Sequence, residues 1–143
     1  MKIPKKTKYN KMFKGKGYFL FPISSKAKSI HFGSYGLISL ECGRITAQQI
    51  EASRKAIVHE LKRMGQLWIR LFPDIPVTAK PIEVRQGKGK GSVEFWTCRV
   101  KEQRVLFELD GVPMVLAKKA LKLGAAKLSI KTKFISKSNN IEE

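Results

Sequence analysis

The chain has 143 residues, and its 29 Lys and Arg against 11 Asp and Glu give a formal net charge of +18 at pH 7. That length suits one domain. A hydrophobic content of 43% is enough for a packed core and too high for a wholly disordered polycation. Apolar runs are only a few residues long, far short of the roughly 20 residues of a membrane span. We therefore expect a folded, basic domain with no membrane span.

The charge indicates a polyanionic partner, with nucleic acid favoured over an anionic membrane surface. Of the basic residues, 22 are lysines and seven are arginines. Lysine is a point charge suited to phosphates, whereas arginine makes the bidentate contacts that read base edges. The lysine bias indicates a protein that binds the nucleic-acid backbone, and an AT-rich genome explains the same bias equally well.

The sequence offers little for metal binding or catalysis. Cys42 and Cys98 lie in no CxxC or Cys/His cluster, whereas a zinc site needs about four ligands at short spacings. We expect two buried or half-buried thiols in a reducing compartment, not a disulfide. His31 and His59 have no adjacent nucleophile, and no paired carboxylates occur. We predict no cofactor, no metal and no enzymatic activity.

The basic charge is concentrated at the N-terminus, since residues 1–40 contain nine lysines and no acidic residue. We divide the chain into an extended basic arm and linker (1–30), a single α+β domain (31–135) and a flexible tail (136–143). The arm has no helical apolar period and is expected to be ordered only on its partner. A cleaved transit peptide is the alternative, but such peptides are Arg-rich and amphipathic.

Periodicity predicts an α+β fold, with two helices packed on a mainly antiparallel sheet, an extended basic arm and a long Gly/Lys-rich loop. The first predicted helix covers 46–64, with Thr46 as N-cap and Gly65 at its end, and a strand over 66–72 and a long loop over 73–92 follow it. Two strands are predicted over 93–101 and 104–109, before a second helix over about 113–127 with Pro113 at its first position. The last predicted strand covers 128–135 and buries Leu128, Ile130, Thr132 and Phe134. The small residues of the second helix indicate close packing onto the sheet.

The loop contains the most informative local pattern, an alternation of glycine and lysine that follows Arg85. Glycines at alternate positions let the backbone pass close to a partner, and the lysines between them indicate phosphate. The spacing is not that of a Walker A loop. A solvated loop without a partner is the alternative interpretation. The predicted loop contacts are Arg85, Gly87, Lys88, Gly89, Lys90 and Gly91.

Further basic and aromatic residues are candidates for nucleic-acid contact. The predicted set comprises Lys5, Lys6, Lys8, Tyr9, Lys11, Lys14 and Lys16 of the arm, Arg54, Lys55, Lys62 and Arg63 of the first helix, and Lys131 and Lys133 of the last strand. Tyr9, Tyr18 and Tyr35 are candidates for stacking on bases. Trp68, Phe95, Trp96 and Phe107 lie on period-2 strands and are predicted to be core residues.

Several segments follow one another in a fixed order over about residues 4–135, namely Pro4–Tyr9, Phe32–Leu37, Arg44–Glu51, Leu67–Asp74, Pro76–Thr78, Arg85–Gly91, Val105–Glu108, Asp110–Pro113 and Ile130–Phe134. This series strongly resembles the bacterial-type large-subunit ribosomal protein L-sixteen family, whose cytosolic eukaryotic counterpart is called L-ten. So many motifs in one order are far more specific than any one of them.

The resemblance implies a monomeric constituent of the large ribosomal subunit that binds 23S-type rRNA, approaches the 5S region where it is present, and contacts neighbouring large-subunit proteins. It implies that the loop over 81–92 points toward the peptidyl-transferase region and the aminoacyl-site tRNA, with Arg85, Lys88 and Lys90 carrying that contact. Lys5, Lys6, Lys8 and Lys11 would thread the rRNA. The family has no catalytic residue of its own.

Two departures from the family pattern bear on the source of the protein. The stretch over 18–28 is slightly longer and more apolar than usual, and Gln86 stands where the family usually has Met. With the lysine bias and the tail, the stretch over 18–28 indicates a mitochondrial ribosome. Because the family's start motif begins at Pro4, we expect an organelle-encoded gene, with a plastid or a bacterial cytoplasm as alternatives. A DNA-architectural protein, another non-ribosomal RNA-binding protein and a small RNA-modifying enzyme are the competing hypotheses.

Overall fold

The computed structural model describes residues 3–15 and 25–137 of the chain. Its helices are α1 (Ser25–Lys28), α2 (Ala47–Leu61) and α3 (Met114–Ala125). Its strands are β1 (Tyr35–Ser39), β2 (Gly43–Thr46), β3 (Gln66–Ile69), β4 (Ile75–Ala79), β5 (Ser92–Val100), β6 (Val105–Asp110) and β7 (Thr132–Ser136). Within the described ranges, every helix is too short or too polar to cross a bilayer.

The strands form two antiparallel sheets, with the orders β3-β6-β1-β7 and β2-β5-β4. Both sheets and the two long helices contribute to one hydrophobic core. Its fully buried members include Ile45, Ile57, Val100, Phe107 and Leu121. The predicted α+β class is confirmed, but the strands that the sequence assigned to one sheet form two.

Helix α2 begins where the sequence predicts. The Thr46 hydroxyl accepts a hydrogen bond from the Gln49 backbone N–H at 3.2 Å, and the Gln49 side chain accepts one from the Thr46 N–H at 2.9 Å. This capping box satisfies two N–H groups at the start of the helix. The helix ends at Leu61, earlier than the predicted residue 64, because Lys62 and Arg63 adopt φ angles of 47° and 70°. Because residues other than glycine rarely adopt left-handed backbone angles, the sequence predicted the end of the helix at Gly65 and not at Lys62.

Helix α3 packs closely on α2. A Cβ at Gly124 would lie 2.6 Å from Ile57 Cγ1, and the Ser53 hydroxyl donates a hydrogen bond to the Gly124 carbonyl at 2.9 Å. The small residues of α3 therefore serve a contact with α2, whereas they had been predicted to pack on the sheet; α3 also contacts β1 and β7 of the four-stranded sheet. Pro113 was expected to be the first residue of the helix, but it precedes the helix as its N-cap, with extended backbone.

The segment after β3 differs most from the prediction. The strand expected over 66–72 ends at Ile69, and the loop expected over 73–92 contains β4. Pro73, Pro76 and Pro81 produced the loop prediction, because proline cannot donate to a sheet. Pro76 fits in β4 because β4 is an edge strand of the three-stranded sheet. The connection that remains between β4 and β5 covers residues 80–91.

The other strands agree with the pattern in part. Strands β5 and β6 lie within one residue of the predicted bounds, with the turn between them as expected. The residue pattern does not predict β1 or β2. Strand β7 begins at Thr132 and not at Leu128, and Ser136 is its most buried residue. Leu128 and Ile130 precede the strand and are half-buried against the core.

Candidate nucleic-acid interface

The described part of the arm presents its basic residues to solvent. Lys5, Lys6, Lys8, Tyr9, Lys11 and Lys14 are all exposed. Tyr9 is 71% exposed, and the Lys8 ammonium lies 5.5 Å from the centre of its ring. Tyr9 thus presents an aromatic face beside lysine charges, which is the combination that stacks on a base next to a phosphate. Lys16 and Tyr18 lie outside the described residues.

The last part of the arm contacts the loop between β4 and β5. The Lys11 ammonium donates to the Lys90 carbonyl at 2.8 Å, and the Lys90 ammonium donates to the Met12 carbonyl. The Lys90 ammonium also lies 6.0 Å from the centre of the Phe13 ring. The sequence placed arm and loop in one functional class but gave no indication that they touch each other.

The loop projects from the folded domain as the connection of the β4–β5 hairpin, in which Ala79 faces Ser92. Residues 80–90, which include Arg85, Lys88 and Lys90, are all exposed. The loop therefore holds its basic groups in solvent at the end of two paired strands.

The glycines of the loop serve two different purposes. Gly87 and Gly89 have φ angles of 91° and 95° with nothing described within 4 Å of a Cβ, and Lys88 between them has φ 54°. They are needed for the turn. Gly91 is needed for close approach, since a Cβ there would lie 2.2 Å from the Ala79 carbonyl oxygen. Close approach of the backbone is thus found within the hairpin, at Gly91, whereas approach of the loop to a phosphate stays a prediction.

The basic residues assigned to the first helix are not equivalent. Arg54 is half-buried and binds Glu51 through both carboxylate oxygens, at 2.6 and 3.1 Å. The Arg54 hydrogen bond holds the pKa of the Glu51 carboxyl below its usual value. Lys55 is exposed on α2, while Lys62 and Arg63 are exposed just beyond its end. Arg54 is therefore partly neutralised within the protein, which weakens its case as a phosphate contact.

The two lysines assigned to the last strand also differ. Lys133 lies on β7 with its side chain exposed. Lys131 is exposed as well, but it precedes β7, and its ammonium lies 3.1 Å from a Glu41 carboxylate oxygen. Exposed ion pairs of this kind contribute little to stability, so Lys131 can exchange Glu41 for another anion at small cost.

The aromatic residues are divided between surface and interior. Tyr35, a candidate for base stacking, lies half-buried in β1 and stacks on Phe134, with ring centres 5.9 Å apart. This position inside the fold weakens the case for Tyr35 as a residue that stacks on bases, and no strand had been predicted over residues 35–39. Phe107 is fully buried as expected, whereas Trp68, Phe95 and Trp96 are half-buried.

A buried carboxylate joins the linker to the domain. Glu108 of β6 is fully buried, and its Oε2 accepts backbone N–H groups of His31, Phe32 and Gly33 at 3.1, 2.6 and 3.1 Å. Its Oε1 accepts a hydrogen bond from Arg70, which also donates to the Ser29 carbonyl at 2.9 Å. Glu108 and Arg70 together fix the segment through which the arm leaves the domain.

The charge of Glu108 is retained despite its burial. Burial raises the pKa of the Glu108 carboxyl, but the hydrogen bonds from Arg70 and from the three backbone N–H groups outweigh this effect and leave the pKa below its usual value. This site was not predicted, although the acidic residue inside the apolar run of residues 105–109 was a usable signal, because a buried charge needs a partner.

Two arginines that were not predicted as site residues lie opposite each other on adjacent strands of the three-stranded sheet. Arg44 of β2 and Arg99 of β5 are register partners, and the Arg99 guanidinium donates to the Lys14 carbonyl of the arm at 2.8 Å. No sequence signal pairs them, because β2 was not predicted and the pairing register is not encoded in either strand alone.

The described residues contain no group of three His, Cys, Asp or Glu side chains that could hold a metal ion. Both cysteines are free thiols, with Cys98 buried as expected and Cys42 exposed, contrary to expectation. His59 is exposed, in agreement with its expected solvated position. The part of the chain that the structure describes thus presents basic and aromatic groups rather than a catalytic constellation.

Comparison with known proteins gives the same family as the sequence motifs. The model of the family described as ribosomal protein L16p/L10e matches residues 4–135. The chain is 57% identical over 134 residues to a "Large ribosomal subunit protein uL16" of Chelativorans sp. (strain BNC1), covering 94% of this chain and 96% of the relative. It is 54% identical, with the same coverage, to the protein of that name from Sinorhizobium medicae (strain WSM419).

Both relatives are bacterial, so they lend no support to the mitochondrial prediction and are consistent with its bacterial alternative. The match covers the arm, both sheets, both long helices and the loop. The chain therefore belongs to the ribosomal protein L16p/L10e family, and the two relatives named here are proteins of the large ribosomal subunit.

Proposed function

We propose that the chain is a structural constituent of the large ribosomal subunit that binds large-subunit rRNA and helps to shape the aminoacyl-tRNA site. The observation that carries this proposal is the contact between the lysine arm and the β4–β5 loop, which forms one exposed basic surface on the domain. Membership of the L16p/L10e family supports the ribosome as the assembly in which the chain acts. The role is one of binding and positioning, with no catalytic step assigned to the protein.

Binding to rRNA is expected to be driven by the release of counterions from phosphates. The arm contributes Lys5, Lys6, Lys8, Lys11 and Lys14, all exposed, with no acidic residue among residues 3–15. If about six phosphates are neutralised, the logarithm of the binding constant falls with the logarithm of salt concentration at a slope of about −4 to −5. These contacts position the protein and carry no sequence information of their own.

The loop is proposed to face the aminoacyl-site tRNA. Arg85 and Lys88 are exposed near its end, and the paired strands β4 and β5 hold the loop away from the core. A rigid hairpin can carry charged groups to a distant polyanion without unfolding the domain. The 5S region and the neighbouring large-subunit proteins are further proposed partners.

The loop assignment is tested with Arg85→Ala combined with Lys88→Ala, which spares Lys90 because its ammonium binds the arm. Lys118→Ala with Lys122→Ala on α3 removes the same charge from an exposed helix face and serves as the control. We expect both variants to enter large subunits and only the loop variant to slow aminoacyl-tRNA accommodation. Normal accommodation in subunits that carry the loop variant would refute the assignment.

The ribosomal role itself is tested by sedimentation of native lysate with and without ribonuclease. The chain should migrate with the large subunit and move to the top of the gradient after digestion. Deleting residues 1–16 should reduce incorporation while the domain stays folded. A peak at the monomer position in both conditions, or equal affinity of the chain for duplex DNA and rRNA, would favour a DNA-architectural or other non-ribosomal protein.

The compartment is a separate proposal. The lysine bias and the apolar stretch over 18–28 favour an organellar ribosome of the mitochondrial matrix, with the plastid and the bacterial cytoplasm as alternatives. In a eukaryotic source, cell fractionation followed by sedimentation of each fraction decides among these compartments. Recovery of the chain only with cytosolic ribosomes would exclude an organelle.

A further inference from the structure

We infer that a cleft between the arm and β5 binds a base of large-subunit rRNA, and that this base carries an amino group. The RNA identity of the ligand rests on the proposed function. The cleft has a volume of about 380 Å³ and is lined by Asn10, Lys11, Ser92, Val93, Glu94 and Trp96. Clefts of this size hold small organic ligands, and an unstacked base is a ligand of that class. The site adds recognition of a base to an interface that is otherwise assigned to phosphates.

Trp96 gives the cleft an aromatic surface. It lies on β5 opposite Pro76 of β4, and it is half-buried, so part of the indole remains accessible. The pairing of β2 with β5 ends at Thr97. Beyond that residue, the arm lines the cleft together with β5. Unpaired RNA bases stack on accessible aromatic side chains, so Trp96 is suited to hold the face of a base.

Glu94 favours a base over a phosphate as the ligand. Its side chain is exposed and lines the cleft, where a carboxylate would repel a phosphate. An ionised carboxylate only accepts hydrogen bonds, and the amino group of cytosine is a typical donor to glutamate. Among the described residues, the ion pairs within 4.0 Å do not include Glu94. No described lysine or arginine neutralises the carboxylate at that distance, although the surface around it is basic.

The register of β5 gives Glu94 a special position. The pairing with β4 passes from Phe95 to Val93 over a single step of β4, so Glu94 is an extra residue and forms a bulge. In a regular strand, Val93 and Glu94 would point to opposite faces of the sheet. A bulge redirects side chains, and here Val93, Glu94 and Trp96 line one cleft.

The arm contributes a hydrogen-bond donor to the cleft. The Thr7 hydroxyl donates to Asn10 Oδ1 at 3.2 Å, so the NH₂ of the same amide is the group that serves a base as donor. The Lys11 ammonium donates to the Lys90 carbonyl at 2.8 Å and thereby ties this part of the arm to the loop. A donor from Asn10 and an acceptor from Glu94 match the Watson–Crick edge of cytosine, where an amino group lies beside acceptors. Uracil places a keto oxygen where cytosine has the amino group, and that oxygen would face the carboxylate.

A basic segment of a neighbouring protein is the competing occupant, because a cation can bind Glu94 and lie on the face of Trp96. The charge around the cleft favours RNA. Lys8, Lys11 and Lys14 are exposed, and residues 3–15 contain no acidic residue. These lysines repel a cationic segment and attract the phosphates on either side of a bound base.

The chain has two tryptophans, which makes the cleft observable by fluorescence. In Trp68→Phe the tryptophan emission comes from Trp96, and in Trp96→Phe it comes from Trp68. The probes are a single-stranded cytidine oligomer and an abasic oligomer of equal length and charge. We expect the cytidine oligomer to quench Trp96 and to leave Trp68 nearly unchanged. The abasic oligomer should bind without quenching Trp96, because it offers phosphates but no base to stack.

Recognition of the amino group is tested with Glu94→Gln. The matched control is Glu102→Gln, which removes the same charge from an exposed turn. The unmodified chain should bind the cytidine oligomer about tenfold more tightly than a uridine oligomer of equal length. Glu94→Gln should lose most of this preference, because an amide donates to a keto oxygen as readily as it accepts from an amino group. The control should keep the preference.

Equal quenching of the two tryptophans, or equal quenching of Trp96 by the abasic oligomer, would overturn the inference. Equal affinity of the unmodified chain for the cytidine and uridine oligomers would also overturn it, as would a preference that both glutamine variants lose. Quenching of Trp96 by a lysine-rich peptide but not by the cytidine oligomer would assign the cleft to a protein partner.

If Trp68→Phe does not fold, the difference in quenching between the unmodified chain and Trp96→Phe gives the same quantity. The inference and the proposed function fail in different ways. Failure of the unmodified chain to bind a transcript of the large-subunit rRNA would contradict the proposed function, whereas binding of the transcript without quenching of Trp96 would contradict only the base site.

Discussion

Replacing Glu108 with glutamine is expected to destabilise the domain strongly. The substitution keeps the shape of the side chain but removes the charge that three backbone N–H groups and Arg70 share. The new amide also introduces an NH₂ donor on one side. That donor must face either Arg70 or the N–H groups of residues 31–33, where it finds donors and no acceptor.

The magnitude follows from the burial of the pair. Glu108 is fully buried, and the Arg70 side chain is 17% exposed. Removing one partner of a buried ion pair costs about 3–5 kcal/mol. Since the amide oxygen still accepts some of these bonds, we take the lower end, about 3 kcal/mol. For a chain of this length each kcal/mol lowers the melting temperature by about 2–4 °C, so we expect a decrease of about 6–12 °C.

The assay is thermal and urea denaturation followed by far-UV circular dichroism, with Glu51→Gln as the control. Glu51 binds Arg54 in a partly exposed pair three residues apart on α2, and such pairs contribute about 0.2–0.5 kcal/mol. The control should therefore melt within about 2 °C of the unmodified chain. If Glu108→Gln melted at the temperature of the control, the argument that a buried shared charge anchors residues 31–33 would be refuted.

The same substitution has a predicted pH dependence. Because the pKa of the Glu108 carboxyl is below its usual value in the folded protein, its charge stabilises the fold above the unfolded pKa of about 4.3. This stabilisation is lost as the pH falls through the folded pKa. The difference in unfolding free energy between the unmodified chain and Glu108→Gln should be constant near pH 7 and shrink below about pH 4. A difference that did not change down to pH 3 would contradict the assignment.

Two further predictions concern packing and thiol reactivity. Gly124→Ala should lower the free energy of unfolding by about 1–3 kcal/mol, because the new Cβ would lie only 2.6 Å from Ile57 Cγ1. Urea titration measures this change, and an unchanged unfolding midpoint would show that α2 and α3 can move apart without cost. Burial raises the pKa of the Cys98 thiol, so a thiol reagent should modify exposed Cys42 quickly and Cys98 only on unfolding. Rapid modification of two thiols per native chain would show that the core around Cys98 opens readily.

The amino-acid pattern alone was sufficient where local rules decide the structure. Thr46 and Gln49 specify the start of α2 through their own hydrogen bonds, and strands β5 and β6 follow from alternation along the chain. The class of partner follows from a net charge of +18, and the family from motifs in fixed order. The helix start, the two strands and the family motifs each depend on residues close together in sequence, and the net charge is a sum over all residues.

The pattern was insufficient where the fold places a residue in an unusual environment. Pro76 is acceptable in β4 because that strand lies at an edge, and Tyr35 lies inside because β1 pairs with both β6 and β7. Neither fact can be read from the neighbouring residues, since strand order is a property of the whole sheet. Arg54, counted as a phosphate contact, is bound to Glu51 three residues earlier on α2, a local pairing that helical spacing allows and that the prediction left out.

The sequence by itself therefore determined the class of the fold, the charge that selects a polyanion and the basic segments that can meet it. The tertiary structure decided which charges act together. It buried Glu108 against residues 31–33, joined Lys11 to Lys90, and set Arg44 opposite Arg99. Electrostatic interaction depends on distance and on exclusion of water, and both are established only when segments far apart in the chain pack together.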